Sequence, residues 1–442
     1  KGLLPARTLT SLSAPHLLAQ IREAFHAITD HRRCRQTITL TDALMSGLAV
    51  FALKCPSLLN FDEKQRETTI RHNLGTLYGI AEVPCDTQLR SILDAVNPVA
   101  LEPAFLALHH AASHAGLFQH YAYLDGRVLI ALDGTGHFSS HAIACPHCCI
   151  KQHRHAGPEY YHQLLGAVVV HPDYPVVIPL APEPITKGDG ATKNDCERTA
   201  AKRRLTRVRD HYGHLRPIII EDGLASNGPH VKLLNSMGFS YILGAKPGDH
   251  QALFRRVDEQ MRRGDVAEFE VRDAAQVIRG YRFINQLPLN ASHPDLLVNV
   301  LEFWEVIGER VQNFSWVTDI LLTTDTVAAV MRGGRVRWHI ENATFNTLKN
   351  QGYHLEHNYG HGQQYLASVF GCLTFVAFLV DQLQAWGCDL FQQARQARRT
   401  LTALWDQLRT LFTSYFIASW AVLWGAITHG HAAAPLEINN TS

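Results

Sequence analysis

The sequence has almost no net charge. Its 41 Lys and Arg stand against 40 Asp and Glu, for a formal charge of +1 over 442 residues. That balance argues against a histone-like polycation and leaves room only for local basic patches. A paired cysteine framework is also missing. The nine Cys are an odd set, scattered from Cys34 to Cys388, which argues against a secreted disulfide scaffold. There is no internal repeat and no low-complexity linker. No signal-peptide pattern is visible, and the chain opens on Lys1 rather than Met, as expected of a trimmed or partial chain. Long apolar runs are scarce. Residues 366–380 stop at Asp381, and residues 411–427 carry Thr413, Ser414 and Ser419 and barely reach the ~17 residues a span needs. Both read as buried core helices, so no membrane partner is expected.

What the chain has is apolar mass. It is 46% hydrophobic and 18% charged, enough to bury a large core across two or three domains. Residues 1–120 read as mostly helical. Leu40, Leu44, Leu48 and Phe51 recur at helical spacing behind Thr39 or Thr41 as an N-cap. The pattern then alternates. Residues 128–132 form an apolar run that ends at the turn-like Asp133-Gly134-Thr135-Gly136. Strands are expected at 164–170, 176–180, 218–220 and 241–243, with a helix over 194–212. Residues 265–325 are β-rich. The final third reads as helices over 335–350, 363–386 and 390–427, the last with a break, and a loose tail from His429.

Three of these segments carry a carboxylate. Asp133 and Asp222 each end an apolar strand, and Glu341 sits on a helix after the β-rich stretch. Strand ends at the carboxyl edge of an α/β sheet are where chemistry tends to be placed. A lone strand-end Asp is more often a turn residue, but three converging carboxylates can hold two hard divalent cations about 4 Å apart. Arg337 precedes Glu341 on the same helical face and offers a planar fork suited to phosphate. Asp319 is a lesser alternative ligand, and Asp125 reads as a turn residue.

Arg-x-x-x-Glu on this helix follows Asp133 in Leu-Asp-Gly-Thr and Asp222 in Ile-Glu-Asp-Gly. Together these resemble the DDE transposases of bacterial insertion sequences, in particular the group with the signature Tyr-x2-Arg-x3-Glu-x6-Lys. Arg337 and Glu341 fall on that pattern. Gly334 stands at the Tyr position, and Leu348 at the Lys position, with Lys349 one step further. One step turns a side chain by about 100° along an α-helix. The run from His354 to Gly362 also looks similar to such enzymes, without an assigned chemistry, and reads as a polar turn between helices.

The resemblance implies an α/β, RNase H-like (retroviral-integrase-like) catalytic core over 121–385, with a β-rich insertion at 265–325 before the glutamate. A helical N-terminal region, 1–120, would bind DNA ends or dimerise, and C-terminal helices and a tail would occupy 386–442. Asp133, Asp222 and Glu341 would bind two Mg²⁺ or Mn²⁺ ions. The enzyme would cut DNA at the element's ends, and the freed 3′-OH would attack a second phosphodiester. Its partners would be double-stranded DNA (terminal inverted repeats and target) and a second copy of itself, in the bacterial cytoplasm with the nucleoid. Two rivals are a metal-dependent nuclease of the same fold that never joins, and a domesticated DNA-binding protein without catalysis.

Basic residues would contact phosphates, which give affinity and position rather than sequence choice. Arg337, Arg335 and Lys349 lie near Glu341 in sequence, and Arg203 and Arg207 belong to a crowded basic helix. A further metal site is expected in an insertion at 137–162. Cys145 and Cys148 make a Cys-x-x-Cys pair suited to zinc. The other two ligands could come from Cys149, His137, His141, His153, His155 or His162; the set taken is Cys145, Cys148, His153 and His155. The alternative is free thiols in a β-hairpin.

Overall fold

The structure is a computed structural model. It describes residues 10–33, 37–154, 156–190, 193–430 and 436–438. The centre is a twelve-stranded mixed sheet. Its strands are β1 (Ala122–Tyr123), β2 (Arg127–Ser140), β3 (Cys149–His153), β4 (Gly157–His171), β5 (Tyr174–Pro179), β6 (Glu183–Ile185), β7 (Ile218–Glu221), β8 (Ser240–Gly244), β9 (Ala267–Arg272), β10 (Ile278–Asn290), β11 (His293–Ile307) and β12 (Arg310–Thr318). The main path runs β3-β4-β2-β7-β8-β12-β11-β10-β9, with β1 on β2 and with β5 and β6 on β4.

Strands β2, β7 and β8 are parallel neighbours, while β4 is antiparallel to β2 and to β5. The chemistry of the central strands fits this position. Ile218, Ile219 and Ile220 are all fully buried, so β7 has no polar face, as a strand covered on both sides requires. The parallel links are helical: Lys193–Tyr212 precedes β7, and Gly228–Ser236 joins β7 to β8.

The β-rich stretch forms an antiparallel meander, β9 to β12. It is not a separate lobe. Strand β12 pairs with β8 from Trp316↔Gly244 to Thr318↔Ile242, so the meander continues the central sheet.

The helices flank this sheet. Thr39, rather than Thr41, caps the Leu40–Ala52 helix, its side chain accepting the Asp42 N–H at 3.0 Å. That helix packs on the Leu366–Gly387 helix, where a Cβ on Gly47 would come within 2.9 Å of Leu373. The Leu366–Gly387 helix is long and apolar enough to cross a membrane, but nearly all of it is buried inside the protein. The core is one contiguous cluster from Leu12 to Ile427, crossing positions 120 and 385 without a break.

Two helical expectations divide. The stretch 335–350 is not one helix: Val327–Arg335 ends first, a π-helical turn follows at Ile340–Phe345, and Asn346–Asn350 completes it. The stretch 390–427 is three helices, Asp389–Gln396, Leu401–Ser414 and Trp420–His429. Thr400 and Ser419 start the last two by accepting the backbone N–H groups of Ala403 (3.1 Å) and Val422 (3.3 Å). In the tail, Glu437–Ile438 pairs with Tyr415–Phe416.

Candidate functional site

Strand β2 pairs with β7 only as far as Ala131↔Ile220. Beyond that point it runs on to Ser140 in register with β4. Asp133-Gly134-Thr135-Gly136 is therefore extended strand, not the turn its Asp-Gly content led one to expect. Long-range pairing overrides the local preference, and Asp133 still sits just past the carboxyl edge of the parallel strands. Asp222 follows β7 directly, and its Oδ1 accepts the Leu224 N–H at 2.9 Å.

Glu341 arrives on the π-helical turn. Opposite Asp133 on β4 stands Gly166. A Cβ there would lie 2.8 Å from the Phe345 ring, so glycine is what lets the turn settle on the sheet. Ile340 and Phe345 are buried, and Glu341 remains exposed. Arg337 joins the two elements: Nη1 donates to Asp133 Oδ2 at 3.1 Å, and Nη2 donates to Glu341 Oε1.

Asp222 lines the same small cavity as Asp133. Burial raises the Asp133 carboxyl, and the charges of Glu341 and Asp222 raise it further, against Arg337 and the Gly134 N–H, which lower it. Burial opposes the Arg337 charge, but Glu341, Asp133 and Asp222 outweigh it and raise its pKa. Asp133 and Glu341 bind the guanidinium directly, and Asp222 acts on it through its charge. The cavity is lined by Asp133, Asp222, Glu197, Arg198, Glu221 and His230. A Cβ on Gly134 would stand 3.2 Å from the Glu197 carboxylate. Glu197 is a fourth acid that the sequence reading missed. Its only signal was its place on a helix read for its arginines. His230 and Glu221 form a buried pair at 2.6 Å; burial pulls His230 down, and Glu221 overrides that and raises it. Asp133, Asp222, Glu197 and Glu341 offer the oxygen donors a hard divalent cation takes, with Arg337 and Arg198 beside them.

Two departures from the expected helix signature have structural causes. A Cβ on Gly334 would lie 2.5 Å from the Trp316 indole, which leaves no room for a tyrosine. The π turn takes in one residue more than an α turn. That extra residue absorbs the slip at Lys349: Leu348 is fully buried, and Lys349 turns outward to meet Glu356 Oε1 at 2.7 Å.

The other basic residues are paired within the chain. Arg335 lies 3.5 Å from Glu305 and 4.9 Å from the centre of the Phe314 ring. Arg203 holds Glu183 at 2.7 Å and also Asp189. Arg207 holds Glu183 at 2.7 Å and Glu102 at 3.5 Å. Asp319 accepts the Tyr241 N–H at 2.9 Å, and Asp125 lies in a turn at φ 54°.

The Cys/His group needs correcting. His153 does not join the cysteines; its Nε2 lies 2.7 Å from Glu159 Oε2. His155 lies outside the described residues. The histidines that meet Cys145 and Cys148 are His162, on β4, and His361, from the segment between the Asn346–Asn350 and Leu366–Gly387 helices. The four ligand atoms lie within 4.8 Å of one another and could hold a metal ion. Burial lowers His162 to about 3 and also lowers His361, so both imidazoles are neutral lone-pair donors near pH 7. His162 was among the sequence alternatives. His361 was not, because its contact with Cys148 spans 213 residues.

No family model matches the chain, and no curated protein matches it. Among solved structures it is similar to a piggyBac transposase seen by cryo-EM in a synaptic complex with hairpin DNA. The two share 10% identity at a TM-score of 0.39, over 92% of this chain and 79% of that one.

Proposed function

We propose that the chain is a DNA transposase of the DDE type with an RNase H-like core. It would cut DNA at the ends of its element and join the freed 3′-OH to a second phosphodiester. The observation that carries this reading is the meeting of Asp133, Asp222 and Glu341 around Arg337, from well-separated stretches of sequence. The strand order β5-β4-β2-β7-β8 supports it: three antiparallel strands, then two parallel to the first, with the glutamate following the β9–β12 insertion.

Asp133, Asp222 and Glu341 would hold two Mg²⁺ or Mn²⁺ ions, with Glu197 at the margin. Bound there, the ions would polarise the scissile phosphate and stabilise charge on the attacking and leaving oxygens. The chain's own residues do the positioning. The Gly134 N–H fixes one oxygen of Asp133 at 2.8 Å, and Arg337 holds the other at 3.1 Å. Arg337 bridges two carboxylates, and its fork can exchange one of them for a phosphate oxygen. Lys349 and Arg335 are part-exposed cations that can make the same exchange along the DNA backbone. Arg203 and Arg207 would have to leave Glu183, Asp189 and Glu102 to do so. Two copies would act on paired ends.

The test is a cleavage and joining assay on linear DNA carrying the element's ends, with Mg²⁺ or Mn²⁺. The reading expects nicking and joining by the wild type, and loss of both in Asp133→Ala, Asp222→Ala and Glu341→Ala. Cutting without joining would make the chain a nuclease. Binding without cutting would make it a DNA-binding protein.

A further inference from the structure

We propose that Cys145, Cys148, His162 and His361 hold a structural zinc ion that fastens the segment 351–365 to the central sheet. This inference is independent of the DNA chemistry above.

The spacing of the four atoms carries it. Zinc binds sulfur at about 2.3 Å and imidazole nitrogen at about 2.0–2.1 Å in a tetrahedron. Such a tetrahedron has edges of about 3.8 Å between sulfurs, about 3.5 Å from sulfur to nitrogen and about 3.3 Å between nitrogens. Here the two Sγ atoms are 3.8 Å apart. His162 Nε2 lies 3.5 Å from Cys145 Sγ and 3.4 Å from Cys148 Sγ. His361 Nε2 lies 3.2 Å from Cys148 Sγ and 3.1 Å from His162 Nε2. Five edges match to within a few tenths of an ångström, and the sixth is below 4.8 Å.

The surroundings prepare the ligands. His361 Nδ1 lies 2.9 Å from the Gly362 carbonyl, which can only accept. Nδ1 therefore carries the proton, and the bare Nε2 lone pair points at the cysteines, the arrangement usual for a metal-bound histidine. The Cys145 backbone N–H donates to Cys148 Sγ at 3.4 Å, which fixes that sulfur in place. Two thiols and two imidazoles select zinc over the oxygen-loving ions of the carboxylate site.

The origin of the ligands gives the role. Cys145 and Cys148 lie between β2 and β3, and His162 lies on β4, all on one side of the sheet topology. His361 comes from a segment already tied to the N-terminal helices. Tyr359 donates its OH to the Cys55 carbonyl at 2.6 Å. Asp94 accepts the backbone N–H groups of Gln363, Gln364, Tyr365 and Leu366 at 2.8–3.0 Å. A metal at the four ligands would therefore lock the helical N-terminal region to the sheet through this one segment.

The experiment is metal analysis of the purified full chain. About one zinc per chain is expected, and exchange with Co²⁺ should give the visible bands of tetrahedral cobalt with thiolate ligands. His361→Ala should lose most of the zinc, as should Cys145→Ser with Cys148→Ser, while His153→Ala keeps it. His361 comes from a connecting segment, so its variant carries the test if the cysteine variant does not fold. Chelation should speed proteolytic cleavage within 351–365 severalfold. A zinc content near zero, full zinc in His361→Ala, or loss of zinc in His153→Ala would each overturn the proposal.

Discussion

The two clusters differ in what already balances them. The Cys/His group is closed and mostly buried, and five of the six distances among its ligand atoms are those of a tetrahedral zinc site. The carboxylate group is open, with Glu341 exposed, and its acids outnumber the arginines beside them. Its charge imbalance persists in the folded chain, and burial makes it worse at Asp133. A preassembled soft site serves the fold. An acid cluster short of cations works against the fold and serves whatever cation arrives.

Substitutions should separate the two sharply. Asp133→Asn is expected to lower cleavage by at least about 10³-fold, the scale on which catalytic electrostatics are lost, while its melting temperature in metal-free buffer holds or rises. Cys148→Ser should do the reverse. Loss of a buried metal ligand is expected to lower the melting temperature by about 5–10 °C, and activity should fall only as far as folding does. Equal losses of stability at both sites would break the comparison.

Gly166→Ala probes the link between the sheet and Glu341. Its methyl meets the Phe345 ring, so a stability cost of about 1–3 kcal/mol is expected from overpacking. Activity should drop further than the folded fraction, because Phe345 shares the turn with Glu341.

A pH series sharpens the contrast. The folded pKa of Asp133 is raised, so the native state holds that proton more tightly than the unfolded chain does. The stability this gives is fully present below the ordinary carboxylate value of 3.8 and is lost as the pH rises through the raised folded value. Thermal melts of metal-free wild type and Asp133→Asn should therefore diverge as the pH rises, with the variant the more stable. The smallest effect belongs to the surface cations. Lys349→Ala should reduce the salt slope of DNA binding by about 1. Arg203→Ala should leave the slope nearly unchanged and cost stability instead, since Glu183 would lose a partner.

Much of the carboxylate site is legible in the sequence, because its signals are local. Apolar runs point to Asp133 and Asp222, and a spacing of one helical turn ties Arg337 to Glu341. What stays hidden depends on distant partners. Strand β2 passes through a turn-like Asp-Gly pair because β4 supplies its hydrogen bonds. His361 becomes a candidate ligand only when the fold brings it to β4. Glu197 is silent until Gly134 is seen beneath it. The 265–325 stretch reads as β-rich, but its union with β8 through β12 is a matter of tertiary pairing.

The π-helical turn at Ile340–Phe345 has a price in helix geometry that a single codon could remove. Deleting Ala343 would make the stretch from Ile340 to Asn350 regular α-helix, the more favourable local form. It would also rotate one side of the turn against the other by about 100°. Ile340 is fully buried on one side of the turn and Leu348 on the other, so the two could not both keep their core seats after the deletion. The π turn is thus what lets Ile340 and Leu348 sit in the core together, and Glu341, which shares the turn, would lose its fixed aim at the aspartates without it.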